Sequence, residues 1–211
     1  MNQSSLLLHI RGACRASLAD AGYHPRAGDI YTRQISEDVL GWLGLNRAVN
    51  RQTGTVELNP VIGVRHQGLE KAVAELLDAK PHAYIPATLS TSLGYLMPSP
   101  RYRAWIVADE AHVEETVAEM VDSALKFGSP YMEGLGELRS IVHAMESGAG
   151  IREYVAFRLP VGYLLLDQPD RAAASLQDSV NALMERRDAA AESFRDFATR
   201  LQRRLRSAAE G

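Results

Sequence analysis

The sequence predicts an α+β fold: a five-stranded, mainly antiparallel sheet with helices on one face and a C-terminal helical hairpin. Three observations predict it. Strand-like segments fall in the first half of the chain, in the order helix, three strands, helix, two strands, then helices, which separates the element types instead of interleaving them as a parallel sheet requires. Residues 39–50 and 55–66 flank Arg51–Gln52–Thr53–Gly54, a loop of hairpin length containing glycine. From Tyr131 onward apolar residues recur at helical spacing and no alternation appears.

Taken in order, residues 4–21 place Leu7, Ile10, Cys14 and Leu18 on one helical face, with Gly22 as a stop. Tyr23 to Asp29 holds the Pro and Gly of a turn, and strands follow at 30–35, 39–50 and 55–66. Leu69, Val73, Leu76 and Leu77 mark a crossover helix that Lys80–Pro81 ends. Two further strands, 90–97 and 101–108, flank Pro98–Ser99–Pro100, and Asp109–Glu110 opens a helix that Gly128–Ser129–Pro130 terminates. A short helix then runs to Gly148. Residues 151–166 form a largely apolar helix in which Pro160 sets a kink or a boundary. The hairpin carries Ala172, Ala173, Leu176, Val180 and Leu183 on one arm and Phe194, Phe197, Leu201 and Leu205 on the other. Residues 1–147 read as the α+β domain and 148–211 as a helical segment packed on the same body.

Composition excludes several classes. The 211 residues are 46% hydrophobic and 23% charged, with 16 glycines, 9 prolines and a net charge of −3, which fits a globular domain and not a disordered or collagen-like chain. That balance creates no global field for nucleic acid or an anionic membrane. The lone cysteine, Cys14, has no intramolecular partner, so a reducing cytoplasm is expected, and its place on the apolar stripe of the first helix predicts a core thiol. No apolar run approaches the roughly 20 residues of a membrane span.

Some residues resemble the bacterial domain-of-unknown-function family 4304 and its relatives: the first helix leading to Gly22–Tyr23, the strand Asp29–Ile30–Tyr31–Thr32–Arg33, the hairpin ending Val61–Ile62–Gly63–Val64, and Phe127–Gly128–Ser129–Pro130–Tyr131. The likeness is one of pattern and spans about residues 6–145. It implies a compact α+β domain and carries over no catalytic residue. The Pro98–Ser99–Pro100 region and the arginine-rich end depart from it.

No motif names an activity. His9, His24, His66, His82, His112 and His143 include no His-x-x-x-His pair, and no metal site or cofactor is predicted. There is no phosphate-binding Gly-x-x-x-x-Gly-Lys and no Gly-x-Ser-x-Gly elbow. Glu57, Arg65 and His66 at the end of the third strand are the nearest approach to an acid/base group, and Glu115, Glu119 and Asp122 read as a solvated helix face.

Alternation separates an apolar sheet face, Leu43, Leu45, Val49, Leu58, Ile62 and Val64, from a polar one. On the polar face the sequence places Tyr31, Arg33, Trp42, Asn46, Arg65, Arg103 and Trp105, an aromatic and arginine set of the kind that dominates binding interfaces. The competing arrangement has the C-terminal helices covering that face and burying Trp42 and Trp105. Residues 195–206 hold five arginines against one acid, Asp196; Arg200, Arg203 and Arg204 lie opposite the apolar stripe and could touch phosphate, although the acidic total and the missing recognition motif favour a solvated face. The expected function is a non-catalytic, cytoplasmic protein-interaction or accessory module with a protein partner. The alternatives are a small hydrolase with a site converging from separate elements, and a nucleic-acid binder acting through the terminal arginines.

Overall fold

The computed structural model describes residues 3–50, 52–182 and 186–209, so Arg51 of the hairpin loop and Leu183 of the first hairpin stripe lie outside the described residues. The fold is α+β with an antiparallel sheet and C-terminal helices. In chain order the elements are α1 (Gln3–Asp20), β1 (His24–Arg26), β2 (Ile30–Gln34), β3 (Val39–Val49), β4 (Val56–His66), α2 (Gln67–Leu76), β5 (Leu89–Ser92), β6 (Trp105–Val107), α3 (Val113–Ser123), α4 (Ser129–Gly134), α5 (Leu138–Glu146), α6 (Arg152–Leu165), α7 (Pro169–Ala182) and α8 (Ala189–Ala209).

Contacts divide the chain into two compact units at places other than residues 147 and 148. Unit 1 comprises Met1–Val64 and Ser90–Leu135, and unit 2 comprises Arg65–Leu89 and Gly136–Gly211. Segment 65–89, carrying α2, therefore belongs with the C-terminal helices.

The strand order is β1-β2-β3-β4-β5, with β6 also paired to β4; Arg65 and His66 of β4 and Leu89 of β5 fall in unit 2. The pairings of β1 with β2, β2 with β3 and β4 with β6 are antiparallel. β1 is the strand that the sequence reading takes for a turn: His24, Pro25 and Arg26 lie opposite Thr32, Tyr31 and Ile30. Its proline is tolerated because an edge strand does not need every N–H. The core is built from Leu6, Ile10, Cys14 and Leu18 of α1, Leu43, Leu58, Ile62 and Val64 of the sheet, and Val113, Val117 and Met120 of α3, all buried.

Two predicted strands are shorter than their sequence pattern. β5 gives way after Ser92 to a 3-10 turn over Leu93–Leu96, and β6 spans three residues. Prolines 98 and 100 supply no ladder donors, and the Arg103 carbonyl accepts from Asn59 Nδ2 at 2.7 Å in place of a strand neighbour. Gly128–Ser129–Pro130 does not end α3. A π-helical turn over Ala124–Gly128 leads directly into α4, with Pro130 in the first turn of α4.

In unit 2, α6 runs through Pro160 without breaking and packs against α2, α5, α7 and α8. Val142, Tyr163 and Ala172 form one buried cluster, with Leu138, Leu159, Leu164, Leu166 and Leu205 packed around it. Phe157 meets Phe194 and Phe197 edge-on, with centroids 5.0 Å apart in each case. The C-terminal hairpin is α7 against α8. Among the described residues no helix is long and apolar enough to cross a membrane.

Candidate functional site

Register between strands decides which of the seven singled-out residues share a face, because residues directly opposite in an antiparallel pair point to the same side. Tyr31 lies opposite Leu43 and Arg33 opposite Gly41, whereas Trp42 lies opposite Thr32. Tyr31 and Arg33 thus stand on the apolar face and Trp42 on the other. Trp105 lies opposite Leu58, so it too is on the apolar face, and Ile106 opposite Glu57 takes the solvent side.

The structure accordingly buries Tyr31, Arg65 and Trp105, leaves Arg33, Trp42 and Arg103 half-buried, and exposes only Asn46. The seven do not form one open surface. Burial pushes the Tyr31 hydroxyl up to about 12, with Cys14 and Asp29 adding to the rise. Arg33 sits 5.3 Å from the Tyr23 ring centroid and donates to Glu133 at 3.3 Å. Trp42 folds back over its own strand, where a Cβ at Gly44 would overlap the indole, so glycine is required there for close approach. The Trp105 ring lies 5.0 Å from the Arg103 guanidinium, while Arg103 donates to Glu119 at 2.7 Å.

Arg65 has an interior role in unit 2. Its Nε donates to Gln67 Oε1 at 3.0 Å, and its terminal nitrogens donate to the carbonyls of Pro86 and His82, tying the loop after α2 to the end of β4. Glu70 lies 3.6 Å away and is the hub of the buried group: it accepts from Arg158 Nε at 2.7 Å, from Arg158 through a second nitrogen at 3.3 Å, and from the Thr88 hydroxyl at 2.8 Å. Desolvation lowers the Arg65 pKa, Glu70 opposes that shift, and Arg158 reinforces it. His66, the acid/base candidate, has its Nδ1 occupied by the Leu69 N–H at 3.1 Å as the N-cap of α2.

A second polar group in unit 2 carries no sequence signal beyond residue type. Tyr163 donates to Glu146 at 2.6 Å, and Arg171 donates to the same carboxylate while lying 4.4 Å from the Tyr163 ring centroid. The Tyr163 hydrogen bond is the main cause holding the Glu146 carboxyl below its usual range, and burial first, then Glu146, pushes Tyr163 up to about 12. Of the terminal arginines, Arg200 donates to the Leu76 carbonyl at 2.9 Å, Arg204 lies 3.9 Å from Glu75, and Arg203 is exposed. Two of the three therefore engage α2, one of them capping its C-terminus. Among the described residues no three His, Cys, Asp or Glu side chains gather where they could hold a metal ion.

The exposed apolar side chains of unit 1 lie elsewhere than alternation suggests. Tyr95, Tyr102 and Ile106 are 53%, 60% and 59% exposed, which marks them as contact candidates in place of the buried aromatics. The Arg101 N–H donates to the Gly94 carbonyl at 3.2 Å, and a Cβ at Gly94 would overlap the Arg101 carbonyl, so the two tyrosine-bearing stretches are fixed side by side. Arg101 extends from the same stretch and is exposed.

Cys14 is fully buried, and desolvation raises its thiol from 9.0 to about 12, against the lowering influence of Arg47. A thiol held protonated favours the folded state until the unfolded thiol begins to ionise. Stability is therefore expected to be complete below about pH 9 and to fall as pH rises toward about 12, with Tyr31 acting in the same direction. Urea unfolding across that range checks this, and alanine at position 14 flattens the slope. No family model matches the chain, and neither curated proteins nor solved structures provide a match.

Proposed function

We propose that the chain is a non-catalytic protein-interaction or accessory module acting in the cytoplasm, and that unit 1 carries its contact surface. The observation that supports this reading is the exposure of Tyr95 and Tyr102 on two stretches that the Arg101–Gly94 backbone bond holds together, with Arg101 exposed between them and Ile106 exposed on the following strand. Tyrosine and arginine give large contact area with a polar handle, and a fixed backbone lowers the ordering cost of binding. The partner that fits is a protein presenting apolar side chains ringed by carboxylates.

Affinity capture from the native host with nuclease present, comparing the unaltered chain with Tyr102→Ala/Ile106→Ser, tests the reading. Leu165→Ser in unit 2, at a side chain 43% exposed, is the control. A near-stoichiometric protein retained by the unaltered chain and the control, and reduced about tenfold or more by the double variant at unchanged melting temperature, is expected. Equal retention by the double variant would sink the surface, and recovery of nucleic acid alone when nuclease is omitted would replace this reading with one centred on Arg203.

A further inference from the structure

Within unit 2, α6, α7 and the start of α8 enclose a cleft of about 490 Å³, a size typical of sites for small organic ligands. One side is apolar, with Val155, Phe157 and Leu159 of α6 and Phe194 of α8. The other is a polar face of α7. Ser175, Asp178 and Ser179 stand at i, i+3 and i+4 along that helix, so the Ser175 hydroxyl neighbours the Asp178 carboxylate and the Ser179 hydroxyl in the next turn. The remaining charged lining residues are Arg152, Glu153 and Arg186. Arg186 is held by Asp188 at 2.9 Å and also feels Glu153, while Arg195 donates to its backbone carbonyl. Arg152 and Glu153 are neighbours in the first turn of α6 and are exposed.

Asp178 differs from Glu153, the other acid lining the cleft. Among the described residues no guanidinium or ammonium lies within ion-pair distance of Asp178, whereas Glu153 acts on Arg186. A carboxylate with a neighbouring hydroxyl in an otherwise largely apolar lining supplies what a hydrophobic ammonium needs: charge-assisted acceptors for N–H groups, and apolar area for its carbon body. We propose that this cleft is a binding site for a small aromatic or aliphatic amine, with Asp178 as the counter-charge, the Ser175 and Ser179 hydroxyls as further acceptors, and Val155, Phe157 and Leu159 as apolar lining. The site is independent of the contact surface in unit 1.

The test is titration of the full chain with 3-phenylpropylamine and with 3-phenylpropionate, near-isosteric probes of opposite charge, followed by calorimetry. The amine is expected to bind at least about tenfold more tightly than the acid, and Asp178→Asn to remove about that factor, the size of one charge-assisted hydrogen bond. Asp178 is exposed, so the amide leaves the melting temperature unchanged, and Glu115→Gln in unit 1 leaves binding unchanged. Equal affinity for the two probes, preference for the carboxylate, no binding of the amine, or an Asp178→Asn variant that binds as before would each overturn the proposal.

Discussion

Glu70→Gln is expected to lower the stability of unit 2 by about 3–5 kcal/mol, because it removes the one carboxylate that faces two buried guanidiniums. Arg65 and Arg158 are 2% and 5% exposed, so water does not replace the lost charge. A glutamine keeps the shape and one acceptor oxygen, which isolates the effect of charge from that of volume. Thr88→Val provides the graded comparison. It removes a hydroxyl that donates to Glu70 and accepts from the His66 N–H, and costs about 1–3 kcal/mol. Urea unfolding followed by far-UV circular dichroism measures both, since the two tryptophans, Trp42 and Trp105, lie in unit 1 and unit 2 holds none. A Glu70→Gln variant as stable as the unaltered chain would show that the three charges do not act as one group.

Trp105→Ala is expected to cost about 3–5 kcal/mol in unit 1, the range for deleting a buried aromatic ring. The side chain is 3% exposed and β6 packs on α3, so the loss appears as a lowered urea midpoint, read through Trp42 fluorescence. Trp105→Phe costs less. The indole Nε1 has no hydrogen-bond partner among the described residues, and a phenyl ring removes that unpaired buried donor while keeping much of the apolar volume. Partner capture that fails with Trp105→Ala at unchanged stability would contradict the burial of this residue.

What the sequence disclosed and what it concealed both follow from the range of the interactions involved. The stripe of α1, the two long strands β3 and β4 and the terminal hairpin are legible because period 3.6 and period 2 are local properties of the chain. The open aromatic face is not legible in the sequence, because alternation within one strand says nothing of its register against the next, and a shift of one residue exchanges the faces. Tyr31 opposite Leu43 and Trp105 opposite Leu58 are consequences of register. The sequence pattern overextends β5 and β6 because Leu93–Leu96 satisfies the composition of a strand, while Asn59, a side chain 44 residues earlier, takes the Arg103 carbonyl. Alternation places Arg65 on the solvent side of β4 for a related reason. Its partners Glu70 and Gln67 are near in sequence, but Arg158, which completes the buried group, is not.

The separation of Glu70 and Arg158 by 88 residues also sets an order of events during synthesis. At the usual 5–20 residues per second, α2 leaves the ribosome about 4–18 s before its ion-pair partner does. Through that interval the carboxylate is hydrated and Leu69, Val73 and Leu76, all buried in the finished unit, have no helix α6 to cover them. Segment 65–89 is thus a passenger of the earlier chain that waits for α6, and a nascent chain stalled between α5 and α6 presents these side chains to chaperones.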